Sequence, residues 1–491
     1  MSILHYLQRT GSTLATKELY HDYCRSNKVR PHWKADGDII EVQVRDFVAF
    51  SERRLFDIEE EIAGRLRRFW PLDGPSSAGP FRFPLAPESG LNASQRAAIA
   101  LLAASGGGCL TGGPGTGKTY LAAQMIKTCR QNGLQVKIAA PTGKAASVLS
   151  AKLGGLEVKT LHSLLGMSPT EKVSQFAGDD VGLDCDVLFV DEMSMVDSEM
   201  FLQLMRSLYS ETHIFFIGDV NQIDPIGPGA PFADMLHNIP TATLTEIVRQ
   251  QAGNGIISFA SSILASKWET PVSDVEFVDS KRPHEDAFEL FGTFDLNTEA
   301  QDVMILCPVR DPKFDSSITK LNQRISQARG LERIDENFAI GDVIQFTSNT
   351  KEYGFVNGER GVIEKYEKNG ARSNEVIIRN TNDRVYRLHN YSLAKHAELG
   401  YATTVHKAQG SECKTVILLL PREAQHMLTE QLLYTAVTRA KERLIVIGEK
   451  SLIKHKVTQR RIWRQTVLWG FLTGVIEHTE PIHQPLLEHY L

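Results

Sequence analysis

Short apolar runs closed by turn residues recur along the chain from Cys109 onward: CLT, VKIAA, DVLFV and HIFFI, separated by stretches with helical spacing. A strand covered on both faces loses the in-out alternation, so this rhythm predicts βα units around a buried parallel sheet. A second series, VMILCP, KTVILLL and RLIVIG, predicts a second sheet of the same kind. Between its members GDVIQF, RGVIEKY, NEVIIR and DRVYRL are shorter and more polar, and Asn357-Gly358 reads as a hairpin turn. They predict a small antiparallel barrel inserted into the second α/β domain.

Upstream, Leu55, Ile58, Ile62, Leu66 and Phe69 recur at helical spacing in ERRLFDIEEEIAGRLRRFW, the pattern of an amphipathic helix. The following stretch carries Pro71, Pro75, Pro80, Pro84 and Pro87 among glycines and serines and reads as a linker. The expected division is therefore a mostly helical N-terminal region over 1–70, a Pro/Gly-rich linker over 71–90 and a first α/β domain over 91–255. A second α/β domain would cover 256–335 and 395–491, with the barrel inserted at 336–394. A chain of 491 residues exceeds the ~250 to 300 that one core supports, which agrees with this division. The pattern assigns nothing to residues 1–50.

Composition adds limits. The chain is 42% hydrophobic and 23% charged, ordinary for a globular protein, and no apolar run reaches the ~18 residues of a membrane span. MSILHYLQRT lacks the basic flank, apolar stretch and cleavage site of a secretion signal, so a cytoplasmic protein is expected. Cys24, Cys109, Cys129, Cys185, Cys307 and Cys413 show no metal-ligand spacing and read as buried thiols. The loose set His478, His483 and His489 reads as a solvated tail rather than a metal site. A net charge of −5 means that any contact with nucleic acid must come from a local channel.

Candidate chemistry begins at Gly112, Gly113, Pro114, Gly115, Thr116, Gly117, Lys118 and Thr119, which fit G-x4-G-K-[ST] between a strand and a helix. Glycines let backbone N–H groups close around phosphates, Lys118 reaches the β and γ phosphates, and Thr119 suits Mg²⁺. Asp191 and Glu192 follow the strand DVLFV, at the edge of the sheet where ligands bind in open α/β folds. Asp191 is expected to hold Mg²⁺ and Glu192 to orient or deprotonate the attacking water. By itself such a pair is usually a solvated loop; the phosphate loop in the same domain reverses that reading.

The ordered set GGPGTGKT, VDEMSMVD, FIGDVNQIDPIGPG, LTEIVRQ, GYATTVHKAQGSE and LLYTAVTRAKERLIVIG resembles the motifs of RecD-like superfamily 1 DNA helicases, from about Leu91 to Gly448. The resemblance implies two RecA-like motor domains with an SH3-like barrel, ATP and Mg²⁺ as cofactors, and 5′→3′ movement on single-stranded DNA with unwinding of tailed duplexes. It implies that Gln95 reads adenine, Gln222 senses the γ-phosphate, Arg249 and Arg439 stabilise transferred charge and Glu412 lies near the ribose. It further implies a backbone track for DNA that includes Pro141, Thr142, Thr160, His162, Thr404 and His406, with interior histidines as the competing reading for the two imidazoles. The insertion at about 167–186 resembles a hairpin placed at the fork. Three departures stand out: Lys144 replaces a common arginine, Asp224 a frequent proline and Cys413 a usual aromatic.

Two other readings remain open at this point. One is an ATP-dependent switch or loading protein; the other is the motor subunit of a nuclease complex whose nuclease is supplied by a partner. A replication or recombination partner is equally compatible, and the pathway, whether repair, recombination, replication restart, mobile-element maintenance or defence, is not encoded in these motifs.

Overall fold

The computed structural model describes residues 2–31, 38–45, 47–71, 79, 90–167, 182–247, 255–269, 273–296, 299–350, 352–368, 374–459, 461 and 463–476. The chain is α/β, with two all-parallel sheets of RecA-like form. The first has the strand order Lys159–Thr160, Val136–Ala140, Val187–Val190, His213–Gly218, Gly107–Gly112, Thr241–Leu244. Alternate residues of its central strands feed different cores: Leu188, Val190, Ile214 and Phe216 on one face, Phe189, Phe215 and Ile217 on the other. That two-sided burial is why the runs read as continuously apolar. The glycines of the first strand admit close neighbours, since a Cβ on Gly108 would stand 2.2 Å from the Pro240 carbonyl oxygen.

The second parallel sheet has the order Val275–Asp279, Ala440–Gly448, Cys413–Leu420, Val303–Leu306, Ala402–Thr403. In the chain, between strands Val303–Leu306 and Ala402–Thr403, sits a five-stranded antiparallel sheet, ordered Val385–His389, Glu375–Asn380, Arg360–Glu367, Val343–Phe346, Ala397–Leu399. Its own core stacks Phe346 on Phe355, with ring centroids 3.9 Å apart. Asn357-Gly358 does not close a two-residue hairpin as its sequence suggests. Strands Val343–Phe346 and Arg360–Glu367 are joined by a longer excursion that ends there, with Gly358 at φ +85° donating to the Phe346 carbonyl.

Two features correct or extend the sequence reading. The N-terminal helices Ile3–Thr10, Lys17–Ser26 and Arg53–Phe69 are accompanied by an antiparallel sheet ordered Ala15–Thr16, Phe47–Glu52, Ile39–Val44. More consequentially, the end of the chain does not stay with the second parallel-sheet domain, as the 395–491 boundary assumed. Helix Val467–Leu472 crosses back onto Arg53–Phe69, with Phe471 packed edge-on against Phe56 at 5.4 Å, and joins the core of the first sheet. The tail histidines His478, His483 and His489 lie outside the described residues, as does most of the 167–186 insertion. No helix among the described residues is long and apolar enough to cross a membrane.

Candidate nucleotide cleft and nucleic-acid track

Strand Gly107–Gly112 is buried throughout and ends in a loop whose Gly115 and Gly117 take φ of +75° and +86°, conformations open to glycine at little cost. Helix Lys118–Gln131 starts directly after Gly117. The Lys118 ammonium reaches back over the loop to the carbonyls of Gly112 and Gly113, and Thr116 Oγ1 closes the turn on the Gly113 carbonyl at 2.8 Å. A cationic group is therefore seated on a ring of backbone where a phosphate chain would lie.

Asp191 leaves strand Val187–Val190 with its N–H on the Ala139 carbonyl at 3.0 Å, and its Oδ1 accepts from the Glu192 N–H at 2.9 Å. Glu192 occupies the left-handed region at φ +55°. A non-glycine residue there stores on the order of 1–3 kcal/mol, a cost found where function over-determines the backbone. Burial raises the pKa of both carboxyls; Asp191 adds to the rise at Glu192, whereas Arg439 and Lys118 oppose it.

These groups face a cleft of about 1040 Å³ between the two parallel sheets. Lys118, Thr119, Asp191, Glu192 and Gln222 line it from the first parallel-sheet domain, Glu412 and Arg439 from the second. Gln222 is buried, with no partner for Oε1 among the described residues. Arg439 is also buried, its guanidinium donating to the carbonyls of Thr435 and Ser411 at 3.0 and 3.1 Å and to Thr438 Oγ1 at 3.2 Å. Glu412 pairs with Lys441 at 3.3 Å on the rim.

Arg249 lies outside the described residues. Gln95 is buried but is not among the residues lining the cleft. With Asn92 it forms a capping box at the start of helix Ala93–Ala104, its Oε1 accepting from the Asn92 N–H at 3.2 Å, which leaves Nε2 without a partner among the described residues. The N-x-x-Q spacing of LNASQ carried that capping signal in the sequence.

The proposed track residues share one device. Thr142, Thr160 and Thr404 each use the hydroxyl oxygen as an acceptor, from the N–H of Ala145 at 3.2 Å, Ser163 at 3.1 Å and Lys407 at 3.3 Å. Each hydroxyl keeps its proton to donate elsewhere. Pro141 is half-buried and His162 is exposed, which removes the reading of an interior histidine for His162; His406 reaches the surface, but partial burial lowers its pKa.

Sequence reasoning missed three contributors. Tyr434 donates to Asp219 across the cleft at 2.9 Å. Glu359 and Arg360 of the inserted sheet line the cleft too. Lys144 faces them, and burial, with Arg360 adding repulsion, pulls its ammonium down to about 7.

A family model described as an AAA domain matches residues 90–273, and one described as a UvrD-like helicase C-terminal domain matches 399–447. The chain is 31% identical over 426 residues to the ATP-dependent RecD2 DNA helicase of Deinococcus radiodurans, covering 84% of this chain and 56% of that protein. It is 29% identical over 417 residues to the RecBCD enzyme subunit RecD of Mycolicibacterium smegmatis, covering 75% of this chain and 73% of that one. The chain thus spans little more than half the length of the first relative. Among solved structures, a Bacteroides Pif1 helicase in complex with ADP-AlF3 and ssDNA is 18% identical with a TM-score of 0.48, covering 72% of this chain and 92% of that one. In sequence the chain is similar to RecD-type helicases.

Proposed function

We propose that this chain is an ATP-driven DNA helicase that moves 5′→3′ along single-stranded DNA and separates duplex ahead of it. The observation that carries the reading is the convergence of Lys118, Asp191 and Glu192 from one parallel sheet with Arg439 from the other on a single cleft. Polar groups there suit a triphosphate: the Gln222 Oε1 lacks a partner among the described residues, and the Lys118 ammonium is held by the Gly112 and Gly113 carbonyls at the mouth of the loop.

In this mechanism the loop Gly112–Gly117 and the first turn of helix Lys118–Gln131 bind the phosphates, and Lys118 compensates their charge. Thr119 and Asp191 would hold a Mg²⁺ ion, which supplies further positive charge to the phosphates. Glu192, whose carboxyl is raised toward the range of a general base, orients the attacking water and takes its proton. Gln222 senses the γ-phosphate. Arg439, with Arg249, meets the negative charge that develops on the transferred group; arginines in this role are worth ~10³ or more in rate. Because the two sets of groups sit on different motors, hydrolysis opens and closes the cleft. Thr142, Thr160, Thr404, Pro141, His162 and His406 hold the strand by its phosphates, so the grip is independent of base sequence. Six buried, unpaired cysteines are in keeping with work in the reducing cytoplasm.

The test is ATP turnover with and without single-stranded DNA, together with strand displacement on duplexes carrying only a 5′ or only a 3′ tail. Stimulation of turnover by DNA and displacement from the 5′ tail are expected, and Lys118→Ala abolishes both. Turnover indifferent to DNA would leave a nucleotide switch instead. The M. smegmatis relative, named as a subunit of the RecBCD enzyme, favours a second reading, a motor serving a nuclease in trans; stimulated turnover without unwinding by the chain alone would select it.

A further inference from the structure

Asp224 stands where the sequence departs from the helicase pattern it resembles, and the structure surrounds it with groups from two other elements, helix Glu430–Val437 and the segment that follows helix Lys450–Val457. Its Oδ1 accepts from Arg461 Nη2 at 2.8 Å, and its Oδ2 accepts from Gln431 Nε2 at 3.2 Å, with Arg464 Nε 3.7 Å away. Arg461 and Arg464 belong to the segment that leaves the second motor after helix Lys450–Val457 and crosses to the first. Both cations are nearly enclosed, their side chains 4% and 13% exposed.

The same two guanidiniums hold the backbone on either side of Gln222. Arg461 Nη1 donates to the Val220 carbonyl at 2.7 Å. Arg464 Nη1 donates to the carbonyls of Gly227 and Gly229 at 2.7 and 2.8 Å, and its Nη2 donates to that of Pro225. Gly11 of the N-terminal region completes the seat, because a Cβ at that position would overlap the Arg464 guanidinium. From the other side one face of helix Glu430–Val437 grips the loop. Gln431 meets Asp224, Tyr434 meets Asp219, and Thr435 Oγ1 accepts from the Ile223 N–H at 2.9 Å, an i, i+3, i+4 set on a single stripe.

We propose that Asp224, Arg461 and Arg464 are positioning residues that tie the Val220–Gly229 loop to the second motor, so that Gln222 takes its working place only as the cleft closes. The proposal rests on the helicase reading and adds to it a device in which the returning C-terminal segment transmits closure to the γ-phosphate sensor. Proline at 224 would have neither the carboxylate nor the charge to recruit the two arginines, so this coupling depends on the aspartate at that position.

The test uses the full chain with Asp224→Asn, Arg461→Ala and the double variant, measuring turnover without DNA, turnover with saturating oligo-dT, KM for ATP and the thermal unfolding midpoint. DNA-stimulated kcat is expected to fall about tenfold in each, with DNA-free turnover and KM within about twofold of the parent, the split that marks loss of a transition-state arrangement rather than of binding. The double variant should be no worse than the poorer single one, since both break one linkage. Parental stimulation in the folded variants, equal loss of both rates, or losses that multiply in the double variant overturn the proposal. If Arg461→Ala does not fold, Arg461→Lys takes its place: one ammonium cannot reproduce the fork that spans the Val220 carbonyl and Asp224, so the same selective loss is expected and parental stimulation overturns it. A parent chain with no response to DNA would instead remove the helicase reading, and this coupling with it.

Discussion

Tyr434 of the second motor donates its hydroxyl to Asp219 Oδ2 of the first at 2.9 Å, with both side chains buried. The same hydroxyl stands 3.4 Å from where a Cβ on Gly113 would lie, so the tyrosine meets the Gly112–Gly117 loop and the turn after strand His213–Gly218 together. Tyr434→Phe keeps the ring and removes the donor. A hydrogen bond to a buried carboxylate contributes ~1.5–3 kcal/mol, so the unfolding midpoint should fall by several degrees in a thermal scan. An unchanged midpoint would mean that this pair contributes nothing to holding the motors together.

Arg439 is fastened within its own motor by the Thr435 and Ser411 carbonyls, and it faces Glu192 and Lys118 across the cleft. Arg439→Ala should therefore lower kcat for ATP far more than it alters KM, by ~10³ if the arginine stabilises transferred charge. Steady-state turnover at saturating DNA measures this. Normal turnover with lost DNA binding would reassign the residue to the DNA track.

The parallel sheets were legible because a strand covered on both faces must be apolar at every position, as in Val187–Val190 and Val303–Leu306. Strand Ile39–Val44 also carried its signal, since Ile40, Val42 and Val44 are buried between outward residues, but one alternating segment does not announce its partners. The phosphate loop and the acidic pair were readable because their chemistry is local in the chain. The Asp224 cluster was not: Asp224 lies more than two hundred residues from each of its partners, and Arg461 taken alone is indistinguishable from a surface arginine. The return of Val467–Leu472 to the first motor was hidden for the same reason, because helical spacing fixes which face is apolar and not what covers it.

His213 provides a pH test. Its Nδ1 lies 3.0 Å from the Gly106 carbonyl oxygen, and burial holds the ring below the usual histidine pKa. In the unfolded chain the ring titrates near ~6.5. As pH falls through that value the unfolded state takes up a proton that the folded state resists, so stability is lost from there down to the folded pKa. His213→Asn, which can keep a donor to Gly106, should flatten the decline in unfolding midpoint between about pH 7.5 and 5.5. A decline as steep as the parent's would show that the acid sensitivity arises elsewhere.

Glu59 ties the ends of the chain to the first motor. Fully buried in helix Arg53–Phe69, its carboxylate accepts from Thr13 Oγ1 and Ser198 Oγ, each at 2.6 Å, and from the Leu468 N–H at 2.8 Å. Burial raises its pKa while those three donors oppose the rise. Glu59→Ala leaves three buried donors without an acceptor, at ~1–3 kcal/mol each where water cannot enter. Glu59→Gln keeps one acceptor oxygen but turns an amide N–H toward a donor, so it should lie between the alanine variant and the parent. The loss falls on the docking of residues 461–476, because Leu468 is the contact that reaches furthest along the chain. Limited proteolysis is the sensitive measurement: cleavage within that segment should rise in the order parent, Glu59→Gln, Glu59→Ala, with loss of DNA-stimulated turnover following the same order. Protection equal to the parent's in Glu59→Ala would mean that apolar packing, Phe471 on Phe56 and its neighbours, holds the segment by itself.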